Sequence, residues 1–281
     1  MRFGVGVFAT QDDVNPVTLA QAVEERGFES LWRPEIITID AAAFPDKRAE
    51  WRAAFPDRYE GYSSNLKEFW HAHDPFIALA AAAVVTSRLK LATIAQIAER
   101  DPIVTAKAIA TVDRISGGRL VLAVQGYAPG TQTHWPALRE RLLAMMEIWT
   151  NEEAEFHGDV VTFGPIRSYP KPLQRPHPPI LLGGDGSEAF RHVIEFCNGW
   201  VSDRQYSPAV FSAKIARLRA RAVTAGRDPR ALSVTIFTGD PDRGHIEAFA
   251  EAGADRVVFS VGAREINQLL PRLDTYATLM R

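Results

Sequence analysis

The sequence predicts an α/β chain folded as a closed (β/α)8 barrel, and three observations support this fold class. Strand-like and helix-like segments alternate along the chain, and they make the eight pairs that such a barrel needs. Residues 88–92 and 119–123 (Arg-Leu-Lys-Leu-Ala and Arg-Leu-Val-Leu-Ala) repeat one pattern about one βα unit apart. At 281 residues the chain is long enough for one large core, so we predict a single domain over residues 1–281.

The predicted strands are short runs rich in apolar and β-branched residues. In chain order they are Phe3–Phe8, Ser30–Arg33, Leu89–Ala95, Leu120–Gln125, Ile180–Leu182, Gly199–Ser202, Ser233–Thr238 and Arg256–Ser260. In a barrel of parallel strands the carboxyl ends open at one mouth, and active sites of this architecture are built there. We therefore expect the functional residues to follow the strand ends.

The predicted helices show apolar residues at the 3.6-residue period. In chain order they are Leu19–Arg26, Pro75–Val85, Ile103–Ile115, Ala137–Trp149, Glu188–Phe196, Pro208–Ala225, Ile246–Ala252 and Glu265–Leu279. Two segments interrupt the alternation and are predicted to be insertions, residues 36–73 after the second strand and residues 151–179 before the fifth. The second insertion contains a possible hairpin over residues 155–163.

Composition excludes several classes of partner. A formal net charge of -2 leaves no basic footprint for nucleic acid or an anionic membrane. Cys197 is the only cysteine, so no intrachain disulfide can form and a reducing compartment is expected. The longest apolar run, Pro75–Val85, is too short to span a bilayer, and the N-terminal run is too short and polar for a secretory signal. These features predict a soluble cytoplasmic protein.

The most informative stretch of the chain contains a glycine-rich turn. Residues 169–184 read Tyr-Pro-Lys-Pro-Leu-Gln-Arg-Pro-His-Pro-Pro-Ile-Leu-Leu-Gly-Gly, so a proline-stiffened segment leads into a strand that ends in Gly183 and Gly184. Asp185 and Gly186 then lead into an amphipathic helix. Glycines permit close backbone approach, and a helix N-terminus favours an anion such as a phosphate. The alternative interpretation is a strand-to-helix turn that binds nothing.

Several motifs, taken together and in order, resemble the bacterial luciferase-like monooxygenase superfamily. The similarity is closest to its branch of deazaflavin (coenzyme F-420)-dependent oxidoreductases, and it covers nearly the whole chain. The motifs that carry it are Gly27–Trp32, Asp74–Ala83, Asp113–Leu120, Phe156–Gly158, the proline-rich run with its Gly-Gly end, Ala225–Pro229 and Glu251–Val258. The resemblance implies a TIM barrel and an oxidoreductase or monooxygenase that acts on a small organic substrate.

The resemblance also implies where the cofactor lies. Its phosphate would bind Gly183, Gly184, Asp185 and Gly186 near the fifth barrel strand, and its ring would rest across the carboxyl-terminal mouth. The ring contacts carried over from the family fall on the end of the third strand, where relatives often have a bulge with a non-proline cis peptide, and on the loop after the fourth. In this chain they are Thr93, Ile94 and Ala95, with Gly126 and Tyr127.

Two residues are the catalytic candidates. Relatives often carry an acidic residue and a histidine after the second strand, and here Glu35 is followed by Ile36 in place of the histidine. His134, beside Trp135 at the predicted mouth of the fourth strand, is the other titratable candidate, because histidine exchanges protons near neutral pH. A loop histidine without a catalytic role is the alternative interpretation.

The sequence leaves alternatives for the cofactor, for the enzyme class and for the role of the first insertion. We rank deazaflavin F-420 first as cofactor, FMN second, and no cofactor third, the last describing a degenerate barrel that binds a ligand without redox catalysis. A metal-dependent hydrolase, suggested by His71 and His73, is a less favoured alternative, and we predict no metal site. The family favours a homodimer, and the aromatic insertion 36–73 fits either a lid over the mouth or a subunit contact.

Overall fold

The structure is a computed structural model that describes residues 1–7, 10–35, 71–125, 135–202, 206–239, 242–262 and 265–280. Within these residues, eight parallel strands close into one barrel, which confirms the predicted fold class. Helices separate consecutive barrel strands along the chain and pack outside them, as the alternation of segments predicted.

The described chain contains ten strands. They are β1 (Arg2–Gly6), β2 (Ser30–Pro34), β3 (Lys90–Ala95), β4 (Leu120–Val124), β5 (Ala154–His157), β6 (Thr162–Ile166), β7 (Ile180–Gly183), β8 (Gly199–Val201), β9 (Ser233–Thr238) and β10 (Arg256–Ser260). Around the barrel the order is β1, β2, β3, β4, β7, β8, β9 and β10, and β10 pairs back onto β1. Strands β5 and β6 form a separate antiparallel hairpin, as expected for the second insertion.

The helices lie where the apolar periodicity predicted them. They are α1 (Pro16–Glu25), α2 (Pro75–Val85), α3 (Pro102–Ile115), α4 (Trp135–Thr150), α5 (Ser187–Phe196), α6 (Pro208–Thr224), α7 (Arg243–Ala252) and α8 (Ile266–Thr278). Helix α1 begins three residues before its predicted start, because Asn15 caps it by accepting a hydrogen bond from the Thr18 amide and Pro16 occupies the first turn. Periodicity alone does not detect such a cap.

Two apolar layers hold the barrel together. The larger one lies between the strands and the surrounding helices. The smaller one fills the barrel interior and includes Trp32, Ile94 and Phe237, with the Trp32 and Phe237 rings edge to face at 5.4 Å. Such interior packing makes the barrel a solid core, so a ligand can approach only at an end.

The amino-terminal end of the barrel is closed by an ion pair. Arg256 Nε and Nη2 each donate to a Glu29 carboxylate oxygen at 2.8 Å, and the guanidinium carbon lies 5.5 Å from the Trp32 ring centroid. Burial opposes ionisation of Glu29, but the hydrogen bonds and charge of Arg256 outweigh it and lower the pKa of Glu29 below its usual value. The ion pair therefore stabilises the amino-terminal end of the barrel.

Asp113 fixes the proline-rich segment to the same end. Its fully buried carboxylate accepts hydrogen bonds from the amides of Leu173 (2.7 Å) and Gln174 (2.9 Å), and from the Gln174 side chain (2.7 Å). Charge-assisted bonds of this kind satisfy backbone donors that would otherwise be buried without partners. The segment that leads into the glycine turn is thus positioned from the opposite end of the barrel.

Arg119 joins the end of α2 to the start of β4 through hydrogen bonds to backbone carbonyl oxygens. The side chain is mostly buried and satisfies carbonyl oxygens at the end of α2 and in the loops that follow α2 and α3. Its guanidinium donates to the backbone oxygens of Ala83, Thr86, Leu89 and Ser116 at 2.6 to 3.0 Å. Asp113 and Arg119 belong to one sequence motif, and both of them serve packing.

The insertions differ in how far the structure describes them. Glu140 on α4 anchors the tip of the β5–β6 hairpin, since its carboxylate accepts from the amides of Asp159, Val160 and Val161. Of the first insertion, only residues 71–73 lie in the described chain, and the aromatic residues proposed as lid or subunit contact lie outside it. No helix among the described segments is long and apolar enough to cross a membrane.

Candidate functional site

The described site residues follow strand ends at the carboxyl-terminal mouth of the barrel. Glu35 follows β2, Ala95 ends β3, and Gly183 ends β7, and because these strands are parallel their carboxyl ends open on the same side. The predicted residues Gly126, Tyr127 and His134 lie in residues 126–134, outside the described chain. Their positions stay predictions.

The glycine turn has a backbone conformation that requires glycine at its centre. Gly184 has φ of +104°, and a Cβ added there would lie 3.2 Å from the Ala189 Cβ and 3.6 Å from the Trp135 ring. The Gly184 carbonyl accepts a 2.6 Å hydrogen bond from Trp200 Nε1. In a trans peptide the C=O and the following N–H point in opposite directions, so the Asp185 N–H is directed away from Trp200.

Helix α5 begins directly after this turn without a side-chain cap. Gly186 is the N-cap residue, with φ of -77°, ψ of 175° and open space where a Cβ would be. The first N–H groups of a helix have no partner within the helix and carry its positive dipole end. A mouth-facing strand end, a tight turn and an uncapped helix N-terminus together can bind an anion such as a phosphate.

Two side chains of the described residues bind the Asp185 carboxylate. Its Oδ2 accepts a 2.7 Å hydrogen bond from the Tyr206 hydroxyl and pairs with Lys214 Nζ on α6. Lys214 also lies 4.8 Å from the Tyr206 ring centroid, and that ring stacks on Trp200. The negative charge beside the proposed phosphate site is therefore compensated within the protein.

The end of β3 corrects one expectation. Residues Leu91–Ala95 pair with β4 without a register shift, and β2 pairs on the other side up to Ile94. The cis peptide bonds of the described chain are Tyr169–Pro170 and Arg175–Pro176. The predicted bulge and non-proline cis peptide at this strand end are therefore wrong. The ladder continues beyond the strand, since the Gln125 amide donates to Ala95 O at 3.2 Å, so its backbone groups need no bulge.

The three predicted ring-contact residues of β3 differ in their burial and in the layer in which they pack. Ile94 belongs to the interior layer and is 8 % exposed, whereas Thr93 and Ala95 are fully buried. The Thr93 hydroxyl donates to the Arg33 carbonyl at 2.8 Å, and Ala95 packs in the layer beneath the helices. Ile94 is therefore the member of this set that shares the barrel interior with Trp32.

Glu35 lies in an ion-pair network that joins three segments of the mouth. Its carboxylate accepts from the Gln96 amide at 2.9 Å and from Arg100 Nε at 2.8 Å, and a second guanidinium nitrogen of Arg100 bridges Glu35 and Asp74. Burial opposes the charge on Arg100, but the two carboxylates outweigh it and raise the pKa of Arg100 above its usual value. Both Glu35 oxygens are engaged, a geometry suited to positioning.

Sequence reasoning missed Arg100, Lys214, Tyr206 and Trp200. One local signal was present in the network around Arg100, since Asp74 precedes Pro75 and caps α2 by accepting from the amides of residues 76 and 77. The pairing of Arg100 with Glu35, and of Lys214 with Asp185, crosses long stretches of sequence. No spacing rule predicts such pairs.

The remaining histidine assignments can now be stated. His177 lies before β7 at the amino-terminal end, where its Nδ1 contacts the Pro178 carbonyl at 2.8 Å and its ring lies 5.8 Å from that of Trp149, so its role is structural. His71 and His73 stand near the end of the first insertion. In the described part of the chain, no three His, Cys, Asp or Glu side chains are placed to hold a metal ion. The metal-dependent hydrolase alternative finds no donor set there.

Comparison with known families supplies the decisive observation. The sequence profile of the family described as luciferase-like monooxygenase matches residues 1–240. The chain belongs to the luciferase-like monooxygenase family. This confirms the resemblance inferred from the sequence motifs, and it identifies the chain as an oxidoreductase of this family.

Three proteins are similar to this luciferase-like chain over different shares of its length. An uncharacterized protein of Mycobacterium tuberculosis is 32 % identical over 279 residues, covering 94 % of this chain and 93 % of the relative. An FMNH(2)-dependent dimethylsulfone monooxygenase of Pseudomonas putida is 32 % identical over 137 residues, covering 44 % of this chain and 38 % of that enzyme. The structure of an F-420-dependent secondary alcohol dehydrogenase, in complex with an F-420–acetone adduct, superposes with a TM-score of 0.74 at 17 % identity, covering 99 % and 98 % of the two chains, and shows the shared fold.

Proposed function

We propose that this luciferase-like protein is an oxidoreductase that binds a phosphate-bearing flavin-type cofactor and acts on a small organic substrate. One structural observation carries the proposal: the turn of Gly184, Asp185 and Gly186 presents an uncapped helix N-terminus at the carboxyl-terminal mouth. Family membership supports redox chemistry, which a phosphate-binding turn alone does not imply.

The chain's residues have distinct roles in this proposal. The N–H groups from Gly184 to Ser187 hold the phosphate, while Gly183 lets the backbone approach it. Ile94 supports the cofactor ring at the centre of the mouth, with Thr93 and Ala95 behind it and with Gly126 and Tyr127 from the loop after β4. When bound, the cofactor supplies the redox chemistry, and the protein binds, orients and excludes water around it.

Proton transfer is assigned to His134, with Glu35 as the second candidate. An imidazole has a pKa near neutrality and can exchange a proton with substrate at the pH of the cell. Glu35 sits at the same mouth, but its hydrogen bonds to Gln96 and Arg100 favour a positioning role for its carboxylate. The dependence of turnover on pH in a His134→Asn variant would test the first assignment.

Coenzyme F-420 is ranked first and FMN second. The sequence motifs favour the deazaflavin branch, and one structural relative is F-420-dependent by its description. A sequence relative, however, depends on FMNH(2), so both cofactors stand within the family's range. Both cofactors carry a phosphate group, and we expect the glycine turn to bind the phosphate of either one.

The test is a titration of the purified protein with F-420 and with FMN, followed by fluorescence quenching. Binding of F-420 is expected, FMN binding alone reverses the ranking, and binding of neither favours the degenerate-barrel alternative. A matched set at the N-cap locates the site: Gly186→Asp places a competing carboxylate at the helix N-terminus, and Gly186→Ala adds only a methyl group in open space. We expect Gly186→Asp to weaken binding by about tenfold or more and Gly186→Ala by less than about threefold.

We further propose that the protein forms a homodimer through the outer face of α2 and α3. Ile77 and Val84, two turns apart on α2, are 73 % and 71 % exposed, and Val104 on the adjacent α3 is 68 % exposed. An apolar face spanning two neighbouring helices is typical of a subunit contact, and a second copy would present the same face in a two-fold arrangement.

Light scattering on chromatography fractions tests this assembly. Ile77→Glu with Val84→Glu is expected to give monomers, because it buries two charges in the contact. Val223→Glu on α6 changes an equally exposed valine (64 %) on another face and should leave the assembly unchanged. A wild-type monomer at micromolar concentration would contradict the proposal.

A further inference from the structure

Lys214 and Tyr206 do more than pair with a half-buried acid, because the acid they hold lies in the turn before α5, a helix without a side-chain cap. Asp185 is two residues before Ser187, the first residue of α5, and the N-cap residue between them, Gly186, has no side chain that could accept a hydrogen bond from the first turn. Aspartate is among the side chains that best satisfy a helix N-terminus. The chain thus carries its own competitor for the site where the cofactor phosphate is proposed to bind.

The described contacts turn this competitor away from the helix. Asp185 Oδ2 accepts from the Tyr206 hydroxyl at 2.7 Å and pairs with Lys214 Nζ. Lys214 lies in the middle of α6 and is itself steadied over the Tyr206 ring. Both partners come from the α6 side of the turn, so the carboxylate is drawn toward α6 and its charge is compensated there.

The same cluster also fixes the adjoining peptide. Trp200 stacks on Tyr206 with centroids 6.4 Å apart, and its Nε1 donates to Gly184 O. The carbonyl of Gly184 and the carboxylate of Asp185, two of the negatively polarised groups of the turn, are therefore bound by one group of side chains. The N–H groups are therefore the polar groups of the turn that remain available on the side of the helix axis.

We infer that Lys214 and Tyr206 are positioning residues that hold the Asp185 carboxylate off the N-terminus of α5, and so keep that terminus open to the cofactor phosphate. This inference rests on the proposed function, since it assigns how the proposed phosphate site is kept available. Lys214 acts through Asp185 and makes no contact with the phosphate.

A double-mutant cycle separates this role from direct contact. Lys214→Met removes the ammonium that pairs with Asp185, so the uncompensated carboxylate competes for the helix N–H groups as an intramolecular anion and repels the phosphate. We expect F-420 or FMN, whichever the wild type binds, to bind about tenfold or more weakly. In Lys214→Met with Asp185→Asn the competing charge is gone, and affinity should return to within about threefold of Asp185→Asn alone.

Two further variants serve as control and as substitute. Arg217→Met removes a positive charge one turn along α6 from a side chain that lies over the Phe190 ring, and it should change affinity by less than about twofold. Tyr206→Phe removes a single hydroxyl and keeps the ring stack. It should weaken binding in the same direction as Lys214→Met, and it replaces that variant if the latter does not fold.

An equally weak double variant would overturn the inference, because it would mean that Lys214 contacts the phosphate itself. Unchanged affinity in both Lys214→Met and Tyr206→Phe would also overturn it. If the wild type binds neither cofactor, the proposed function fails. The amide NMR signals of Ser187 and Glu188 in the free protein then still test whether Lys214 holds the Asp185 carboxylate off the N-terminus of α5. They should shift in Lys214→Met as Asp185 caps the helix, and return in the double variant; no shift would overturn the inference.

Discussion

The indole Nε1 of Trp200 donates a 2.6 Å hydrogen bond to the carbonyl oxygen of Gly184. Trp200 lies in β8 and Gly184 follows β7, so the contact joins two adjacent barrel strands at the mouth. It sets the direction of one peptide group in the turn that we propose as the phosphate site. Glycine at position 184 permits the backbone that this contact needs, since its φ is +104°.

The first prediction concerns Gly184 itself. Gly184→Val should lower the free energy of unfolding by about 2 to 4 kcal/mol, because it forces a β-branched residue to positive φ and crowds Ala189 and Trp135. Chemical denaturation measures the loss. Gly186→Ala is the matched control, with ordinary φ and open space, and should change stability by less than about 1 kcal/mol. Equal stability of the two variants would contradict the assigned backbone.

The second prediction tests whether Glu35 transfers a proton or positions Arg100. Glu35→Gln should destabilise the protein by about 1 to 3 kcal/mol, because the half-buried Arg100 loses the charge of Glu35, the buried one of its two carboxylate partners. Arg100→Met should reproduce most of its effect on turnover, and the double variant should be no worse than either one. A turnover defect in Glu35→Gln that Arg100→Met does not share, with one ionisation lost from the pH profile, would instead support proton transfer by Glu35.

The third prediction concerns the amino-terminal end of the barrel. Arg119→Met should cost about 3 kcal/mol or more in unfolding free energy, since it leaves several buried carbonyl oxygens without a donor. Cofactor affinity of the folded variant should stay within about twofold, because the residue lies far from the mouth. Arg114→Met, which loses one exposed bond to the Lys171 carbonyl, should cost less than about 1 kcal/mol. A comparable cost for both arginines would refute this assignment.

The fourth prediction is a pH dependence at His192. Its ring is 1 % exposed and lies between those of Trp135 and Phe196. Neither ring nitrogen makes a hydrogen bond within the described chain, although Nδ1 lies 3.6 Å from a Glu195 carboxylate oxygen. Burial, aided by the charge of Arg191, lowers the pKa of His192, although Glu195 and Glu188 oppose this. The unfolded chain therefore binds a proton first, so this contribution to stability is complete above about pH 6.5 and is lost as the pH falls toward the depressed folded pKa.

His192→Phe should remove that dependence. We expect a gain of about 1 kcal/mol at pH 7, because an unsatisfied polar ring is replaced by an apolar one, and a shallower loss of stability between about pH 7 and 5. Thermal unfolding across this range is the measurement. His157→Phe changes an exposed histidine (64 %) and should leave the slope as it is. An unaltered acid slope in His192→Phe would show that other groups set it.

The order of elements was determined by the sequence alone, and so was the place of the glycine turn. Apolar runs and 3.6-residue stripes are local, and each of them reports the burial of one segment; the Ser233–Thr238 and Arg256–Ser260 strands were predicted to the residue. The family could be inferred because its motifs lie in order along the chain, and the motif at Asp113–Leu120 proved to serve packing.

Only the tertiary structure decided what surrounds the site. Glu35 and Arg100, or Asp185 and Lys214, meet because the barrel brings different strand ends and helices to one mouth, and charge pairs of this kind leave no periodic signal. The expected bulge at Ile94 failed for the same reason, since strand pairing on both sides of β3 fixes its backbone. Local sequence reports which residues are buried, whereas the closure of the barrel decides which of them meet.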